Sequence, residues 1–279
     1  MILTINSKIL TAGTKWLEQT PVDPYNPLGL PPNTMRVRTN DGNPPQAPAA
    51  SGHTPSYERA TLVPGTTDVY DVYRSGTSFA FLLEYCFNVV EVLGANTTGI
   101  TNMAYMLAEC QFLTSVQIFD TSSVTDMSGI FCYCYHLTSV PLFNTSNVTD
   151  MAQVFWCCTR LTSVPLLDTS KATTVERMFS ESGITSVPLF NTSNVSDMTA
   201  MFLDCHSLTS VPLLNTSKVT IMSGAFSGCY NVESGALALY QQASSQANPP
   251  SSHFATFYNC GSNTTTGAAE LAQIPNDWK

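Results

Sequence analysis

Nine cysteines are the residues of this 279-residue chain that most readily do chemistry. Six of them recur about every 24 residues, so a disulfide framework, a zinc site and buried thiols are all compatible readings. The strings "CYC" and "CC" lack the two-residue gap and the second pair of a typical zinc site. Neighbours in a stacked repeat lie about 4.8 Å apart, beyond the ~3.8 Å between the Cβ atoms of a disulfide. We therefore expect reduced thiols in a core and no metal, although Cys132 and Cys157 fall outside the column.

Four histidines are the other candidates for catalysis: His53, His136, His206 and His253. None of them has a spacing that pairs it with a nucleophile or a metal ligand. The chain also lacks a glycine-rich phosphate loop and a carboxylate pair outside the repeat. We expect neither an enzyme nor a cofactor.

Acidic residues recur before a methionine, at Asp126, Asp150 and Asp197. Aligned carboxylates could bind Ca²⁺, or each could cap the segment that follows it. Other repeats have Asn102, Thr174 and Ile221 at this position, which favours capping. A Ca²⁺ site at Asp126 and Asp150 stays open as the alternative.

The composition excludes some classes of partner. The net charge is -9, only 11% of the residues are charged, and no stretch gathers Lys and Arg, so we expect no nucleic-acid partner. No apolar run approaches the roughly 18 residues of a membrane-spanning helix, so we expect no membrane insertion. The start "MILTINSKILTAGTKWLEQT" has no secretory leader pattern, so we expect either a mature form or export that no signal peptide drives.

The elements that must position these residues are seven consecutive repeats at 71–237, each of 24 residues except 167–189, which has 23. This period is typical of a solenoid, in which each coil buries its apolar edge against its neighbours. Two repeat positions, the cysteine column and the phenylalanine column, should form structural ladders in the core. They are Cys86, Cys110, Cys134, Cys158, Cys205 and Cys229, and Phe131, Phe155, Phe179, Phe202 and Phe226.

Each coil should contain two elements. "TDMAQVFWCC" has apolar residues at helical spacing after Asp150, which predicts a short helix or 3₁₀ turn. "LTSVPLF" predicts a strand that pairs in parallel with its copies. Proline lacks the amide donor of a ladder, so the sheet should be narrow. The prolines are Pro141, Pro165, Pro188 and Pro212.

The order Leu137, Val140, Leu142, Val148, Met151, Phe155, Cys158 resembles the BspA-like leucine-rich-repeat surface proteins, especially their "FNTSNVTDMxxMFxxCxxLTSV" variety. The resemblance covers residues 71–237. It implies an α+β repeat solenoid, a right-handed, leucine-rich-repeat-like stack of coils used for display and adhesion. The proline beside the strand valine departs from the pattern and leaves the width of the sheet open.

The flanks differ in composition from the repeats. Residues 1–70 hold ten of the 17 prolines, and "TMRVRT" and "ERATLV" predict two strands, so we expect a docking or capping segment with a β-hairpin. In residues 238–279, "ALALYQQASS" predicts a helix that starts at the boundary, and Phe257 and Cys260 predict a divergent coil. The last residues should close the open end of the stack.

These features favour recognition, with ligand contacts on variable repeat positions. The candidates are Gln153, Trp156, Arg160, Glu176, Arg177, Asp204 and His206. The sequence favours a virion component such as a phage tail-tip, fibre or decoration protein, attached to other virion or surface proteins through residues 1–70. The alternative is a bacterial cell-surface or secreted adhesin that binds a host protein or glycan receptor, and a homo-oligomer is compatible with either. An enzyme hidden in 1–70 is the weakest hypothesis, because that segment is short.

Overall fold

The chain begins with two sheets, of which the second extends into the first repeats. A computed structural model describes residues 4–5, 8–10, 16–18, 23–49 and 54–279. The first sheet is antiparallel and consists of β1 (Thr4–Ile5), β2 (Lys8–Leu10) and β3 (Trp16–Glu18). His53 lies outside the described residues.

The second sheet joins the N-terminal segment to the first two repeats. Its strands are β4 (Thr34–Thr39), β5 (Arg59–Leu62), β6 (Val69–Tyr73), β7 (Val89–Asn96) and β8 (Ser115–Val116), in the order β5-β6-β4-β7-β8. "TMRVRT" forms β4, and "ERATLV" contains β5. These two strands do not pair with each other, because β4 lies between β6 and β7 and the hairpin is β5–β6.

Burial and charge explain the central position of β4. Met35 and Val37 are fully buried, and the alternate side chains Arg36 and Arg38 form ion pairs across the neighbouring strands. Arg36 reaches Asp71 of β6 at 2.6 Å. β4 is thus fixed on both sides, and the N-terminal segment shares a sheet with repeats 1 and 2.

The phenylalanine and cysteine columns are buried along the repeats. Successive phenyl rings of Phe131, Phe155, Phe179, Phe202 and Phe226 stack with centroids 5.1–5.9 Å apart. Phe257 continues the stack at 5.9 Å from Phe226, and Cys260 is buried beside it. The repeats therefore share one continuous core.

The parallel pairing lies at a different repeat position from the predicted one. Parallel bridges link the acidic column from Asn102 through Asp126, Asp150, Thr174 and Asp197 to Ile221. At "LTSV", strand pairing in the described residues is limited to β7 with β8 and a bridge between Ser210 and Ser234. Single amide bonds, such as the one from Thr185 to the Thr162 carbonyl at 3.1 Å, link other repeats there. The proline in the intervening repeats supplies no amide donor, so the predicted sheet does not extend along the stack.

Tight turns occupy the segment of each repeat for which a short helix or 3₁₀ turn was predicted. In repeat 4, Gln153, Phe155 and Cys157 donate their amides to carbonyls of the next repeat at 2.8–2.9 Å. The amides of Trp156 and Cys158 close turns within the repeat, on the carbonyls three residues back. Gln153 and Cys157 have φ of 61° and 58°, in the left-handed region. This conformation directs alternate amides along the stack, which a helix cannot do.

The C-terminal residues cover the last repeat. Helix α1 (Ala236–Ser244) coincides with the predicted helix, and α2 (Thr265–Gln273) follows it with Thr264 as its N-cap. A 3₁₀ helix, Asn276–Trp278, then places the buried Trp278 ring against Phe257. No helix in the described part of the chain has the length and apolar character required to cross a membrane.

Candidate binding site

Three of the seven predicted contact residues meet on the turns of repeats 4 and 5. Arg177 lies over the ring of Trp156, with its guanidinium carbon 5.7 Å from the ring centroid. The same guanidinium pairs with Glu176 at 2.8 Å. Trp156 is half-buried, so one part of its indole stays open to solvent.

The surroundings of Trp156 include two aromatic residues that were not among the predicted contact residues. The Tyr133 ring lies 4.7 Å from the indole at 52°, and Tyr135 packs edge-on against Tyr133 at 6.0 Å. The indole N–H donates to Glu181 at 3.2 Å. We call Tyr133, Tyr135 and Trp156 the aromatic patch. The signal that could have revealed it is that "YCY" lies one repeat before "FWCC", at positions one residue away from the buried columns.

Gln153 lies next to this patch and is held by a tyrosine two repeats earlier. The hydroxyl of Tyr105 donates to Gln153 Oε1 at 2.9 Å. Between them, Gly129 leaves room for the Tyr105 ring, since a Cβ there would lie 2.3 Å from Tyr105 Cε1. Gln153 is therefore positioned by Tyr105 and is less available to a ligand than its sequence position suggests.

The other predicted contact residues lie apart from the patch. His206 packs on Tyr230 at 5.3 Å, and its Nδ1 lies 3.0 Å from the carbonyl of Gly228. The Asp204 carboxylate lies over Gly228, in space that a Cβ would need. Arg160 is exposed. The structure thus separates six of the seven residues into one cluster around Trp156 and a second region around His206.

The patch carries neutral hydroxyls beside carboxylates. Burial raises the pKa of Tyr133 to about 12, and the charge of Glu181 adds to the shift. The pKa of Tyr135 is raised by burial and by the charge of Glu109. The Cys157 thiol donates to Glu181 Oε2 at 3.5 Å, and burial raises its pKa to about 12. At neutral pH the patch therefore offers aromatic planes, hydroxyl donors and a carboxylate acceptor.

The acidic column caps turns. Asp150 Oδ1 accepts from the Ala152 amide at 2.9 Å, and Asp126 Oδ1 accepts from the Ser128 amide at 3.0 Å. These carboxylates close turns where the sequence analysis expected helix caps. Burial, together with the charge of Asp126, raises the pKa of Asp150. Across the described residues, no group of three His, Cys, Asp or Glu side chains is arranged to hold a metal ion.

The repeat region matches a known protein family. A family profile described as "Mycoplasma protein of unknown function, DUF285" matches residues 77–187 and 181–247, together more than half of the chain. The chain belongs to the DUF285 family. The match supports the BspA-like relationship at the level of the family and covers most of the repeat region.

A search of curated proteins finds no match to this DUF285 chain. Among solved structures, it is similar to a leucine-rich repeat protein from Bacteroides ovatus, with 18% identity and a TM-score of 0.33. The alignment covers 62% of this chain and 37% of that protein, so the chain spans little more than a third of its length.

Proposed function

We propose that this DUF285 protein is a non-enzymatic recognition protein of the adhesin type, displayed on a cell surface, and that the aromatic patch contacts its ligand. In this proposal the repeats form a right-handed, leucine-rich-repeat-like solenoid. Family membership, the BspA-like motif, the parallel bridges and the stacked phenyl rings support it.

The observation that carries the proposal is the position of Trp156. Its partly open indole lies between Tyr133 and Arg177, and Glu181 fixes the ring through the indole N–H. Rigid aromatic side chains with a polar tip supply contact area at low entropic cost, which is why they dominate binding surfaces. Flat rings beside hydroxyl donors and a carboxylate suit a surface glycan or the polar side chains of a host protein.

The cell-surface placement replaces the virion placement that the sequence analysis favoured. No comparison supports a phage virion component, and the matching family is described from Mycoplasma proteins. An extracellular or cell-surface adhesin agrees with the BspA-like motif and needs no virion partner. In this proposal residues 1–70 attach the repeats to another surface protein, and their mostly exposed strand β5 forms one edge of the sheet.

The described histidines each have a structural partner. His136 Nδ1 lies 2.8 Å from the carbonyl of Gln111, and His206 Nδ1 has a similar main-chain partner in Gly228. The His253 ring stacks on Trp278 at 4.3 Å. Each ring is thus engaged in packing or a backbone contact.

A binding experiment tests the proposed site. The purified full chain would be applied to a glycan array and to a panel of extracellular-matrix proteins. We expect a saturable ligand whose affinity falls at least tenfold in Trp156→Ala and in Glu181→Gln. Tyr258→Ala, which removes a 54%-exposed aromatic elsewhere, should bind normally. Equal binding by all three variants would rule out the patch as the contact site.

A second experiment tests the placement. Antibody labelling of intact cells of the source organism should detect the protein without permeabilisation. Detection only inside cells, or only in purified phage particles, would contradict the adhesin assignment.

A further inference from the structure

Four leucines form an exposed apolar row at the ends of repeats 3 to 6, at a different repeat position from the aromatic patch. We call Leu142, Leu166, Leu189 and Leu213 the leucine stripe; they are 57%, 60%, 67% and 53% exposed. The residue after each leucine is buried, so the stripe is not an extension of the core. Parallel stacking places its members next to one another in successive repeats.

The chain places its own proline-rich segment, residues 23–31, beside the beginning of this row. Leu28 lies over Gly94, at the equivalent position of repeat 1, where an added Cβ would lie 3.2 Å from Leu28 Cδ1. Three residues earlier, Tyr25 lines a depression of about 330 Å³ between Leu142 and Leu166. The segment is anchored by Leu30, which is 4% exposed and whose carbonyl accepts from Asn96 Nδ2 at 2.8 Å.

The next depression repeats the same chemistry without a ring beside it. It measures about 270 Å³, lies between Leu166 and Leu189, and is lined only by repeat residues. Asp168 forms part of the rim of both depressions. In the second depression it occupies the place that Asn144 has in the first, and Asn191 occupies the place that Asp168 has there. A site equivalent to the one beside Tyr25 is therefore open on the described surface.

The backbone beside the stripe restricts how a partner could bind. Pro165, Pro188 and Pro212 directly precede three of the leucines and have no amide hydrogen. An added β-strand needs such donors, whereas a polyproline-type segment is recognised through its side chains in apolar grooves. The stripe is also small: four half-exposed leucines offer on the order of 400 Å², below the ~800 Å² per partner of a standard protein interface.

We propose that Leu166, Leu189 and Leu213 form a docking surface for an extended, proline- and tyrosine-containing segment of a partner protein. The segment continues the contact that Tyr25 and Leu28 make within the chain. The tyrosine ring enters the depression between Leu166 and Leu189, and its hydroxyl lies near the Asp168 and Asn191 rim. This surface is independent of the aromatic patch, so one protein can hold a ligand and a partner together.

A peptide with the sequence DPYNPLGLP, residues 23–31, is the probe. It would carry a fluorophore at its amino end and be titrated with the full chain while anisotropy is recorded. We expect saturable binding that weakens at least tenfold when Leu189→Ser is introduced in the protein, or when alanine replaces tyrosine in the peptide. Leu62→Ser is the matched control, because Leu62 is a 44%-exposed leucine on β5. Tyr25→Ala in the protein should increase the number of peptides bound, since it frees the first depression.

Three results would overturn the proposal. The first is that the wild-type chain binds no peptide up to millimolar concentration, while its thermal denaturation curve, which Leu189→Ser shares, shows that it is folded. The second is binding that Leu189→Ser and Leu62→Ser reduce equally. The third is a dimer in light scattering that Leu189→Ser dissociates, because the stripe would then serve a second copy of the chain. Leu189→Gln repeats the test with a side chain of similar size.

Discussion

The thiol of Cys158 donates a hydrogen bond to the main-chain carbonyl of Phe131, one repeat earlier, over 3.1 Å. The same bond recurs along the column, from Cys110 to Leu83, Cys134 to Leu107, Cys205 to Phe179 and Cys229 to Phe202, at 2.9–3.2 Å. A thiol is small and nearly apolar, yet it carries a weak donor. The column therefore both fills the core and ties each repeat to the one before.

Replacing Cys158 by alanine should destabilise the protein by about 1–3 kcal/mol, because the variant loses the sulfur contacts and leaves the Phe131 carbonyl with one fewer donor. Urea denaturation followed by circular dichroism measures this change. Cys158→Ser should recover part of the loss, since the column already holds the buried Ser182. The exposed Ser139→Ala should change nothing. An alanine variant as stable as wild type would show that the thiol bond does not contribute.

Alkaline pH should destabilise the fold through the same thiols. Burial raises the pKa of Cys205 and Cys260 to about 12. Burial also raises the pKa of Cys158. The unfolded chain releases these protons near pH 8.5, so their contribution is complete below that value and is lost as pH rises towards 12. The urea midpoint, measured in reductant, should be level from pH 7 to 8 and fall above pH 9. Cys158→Val should fall less steeply. A midpoint constant to pH 10 would contradict this prediction.

The buried residues of the repeats could be predicted from the sequence, because burial follows residue type at a fixed spacing. Cys158, Phe155 and Met151 recur with the period of the repeat, and each is buried as its column requires. Helix α1 was also predictable, since most of its residues are Ala, Leu and Gln, whose helix propensity is local.

The backbone between the columns was not predictable in this way. Gln153 and Cys157 adopt left-handed conformations that neither residue type favours, because their amides gain partners in the next repeat. The pairing of β4 with β7 depends on contacts distant in sequence. Trp156 was among the predicted contact residues, but Tyr133 and Tyr135 were missed for the same reason: Tyr133 meets Trp156 only because the turns stack. Long-range geometry, and not local propensity, decided all three.

Gly129→Ala should perturb the link between Tyr105 and Gln153. Gly129 has a φ of +59°, and an added Cβ would lie 2.3 Å from the Tyr105 ring. We expect a loss of about 2–4 kcal/mol, from backbone strain of about 1 kcal/mol or more together with displacement of the ring. Gly224 is the matched control, because it has a φ of +65° at the equivalent position and open space around it. Gly224→Ala should show the strain alone.

The ring contribution can be isolated in a Tyr105→Ala background. There the cost of Gly129→Ala should shrink to that of Gly224→Ala. Thermal denaturation of the four variants measures the difference. Equal costs for Gly129→Ala and Gly224→Ala in the wild-type background would show that the Tyr105 ring adapts freely.

Trp278→Ala should open the C-terminal end of the core. The indole is 5% exposed, stacks on His253 at 4.3 Å and lies 6.3 Å from Phe257, the last ring of the phenyl stack. Its own carbonyl accepts from the Phe257 amide at 2.9 Å, so ring and backbone close the stack together. Removing a buried tryptophan costs about 3–5 kcal/mol, and an uncapped repeat end exposes apolar surface.

For Trp278→Ala we therefore expect a lower melting temperature and, in sedimentation velocity, self-association at high protein concentration. Phe254→Ala removes a 74%-exposed ring nearby and should do neither. If both variants melted at the same temperature, the stack would be closed by α2 rather than by Trp278.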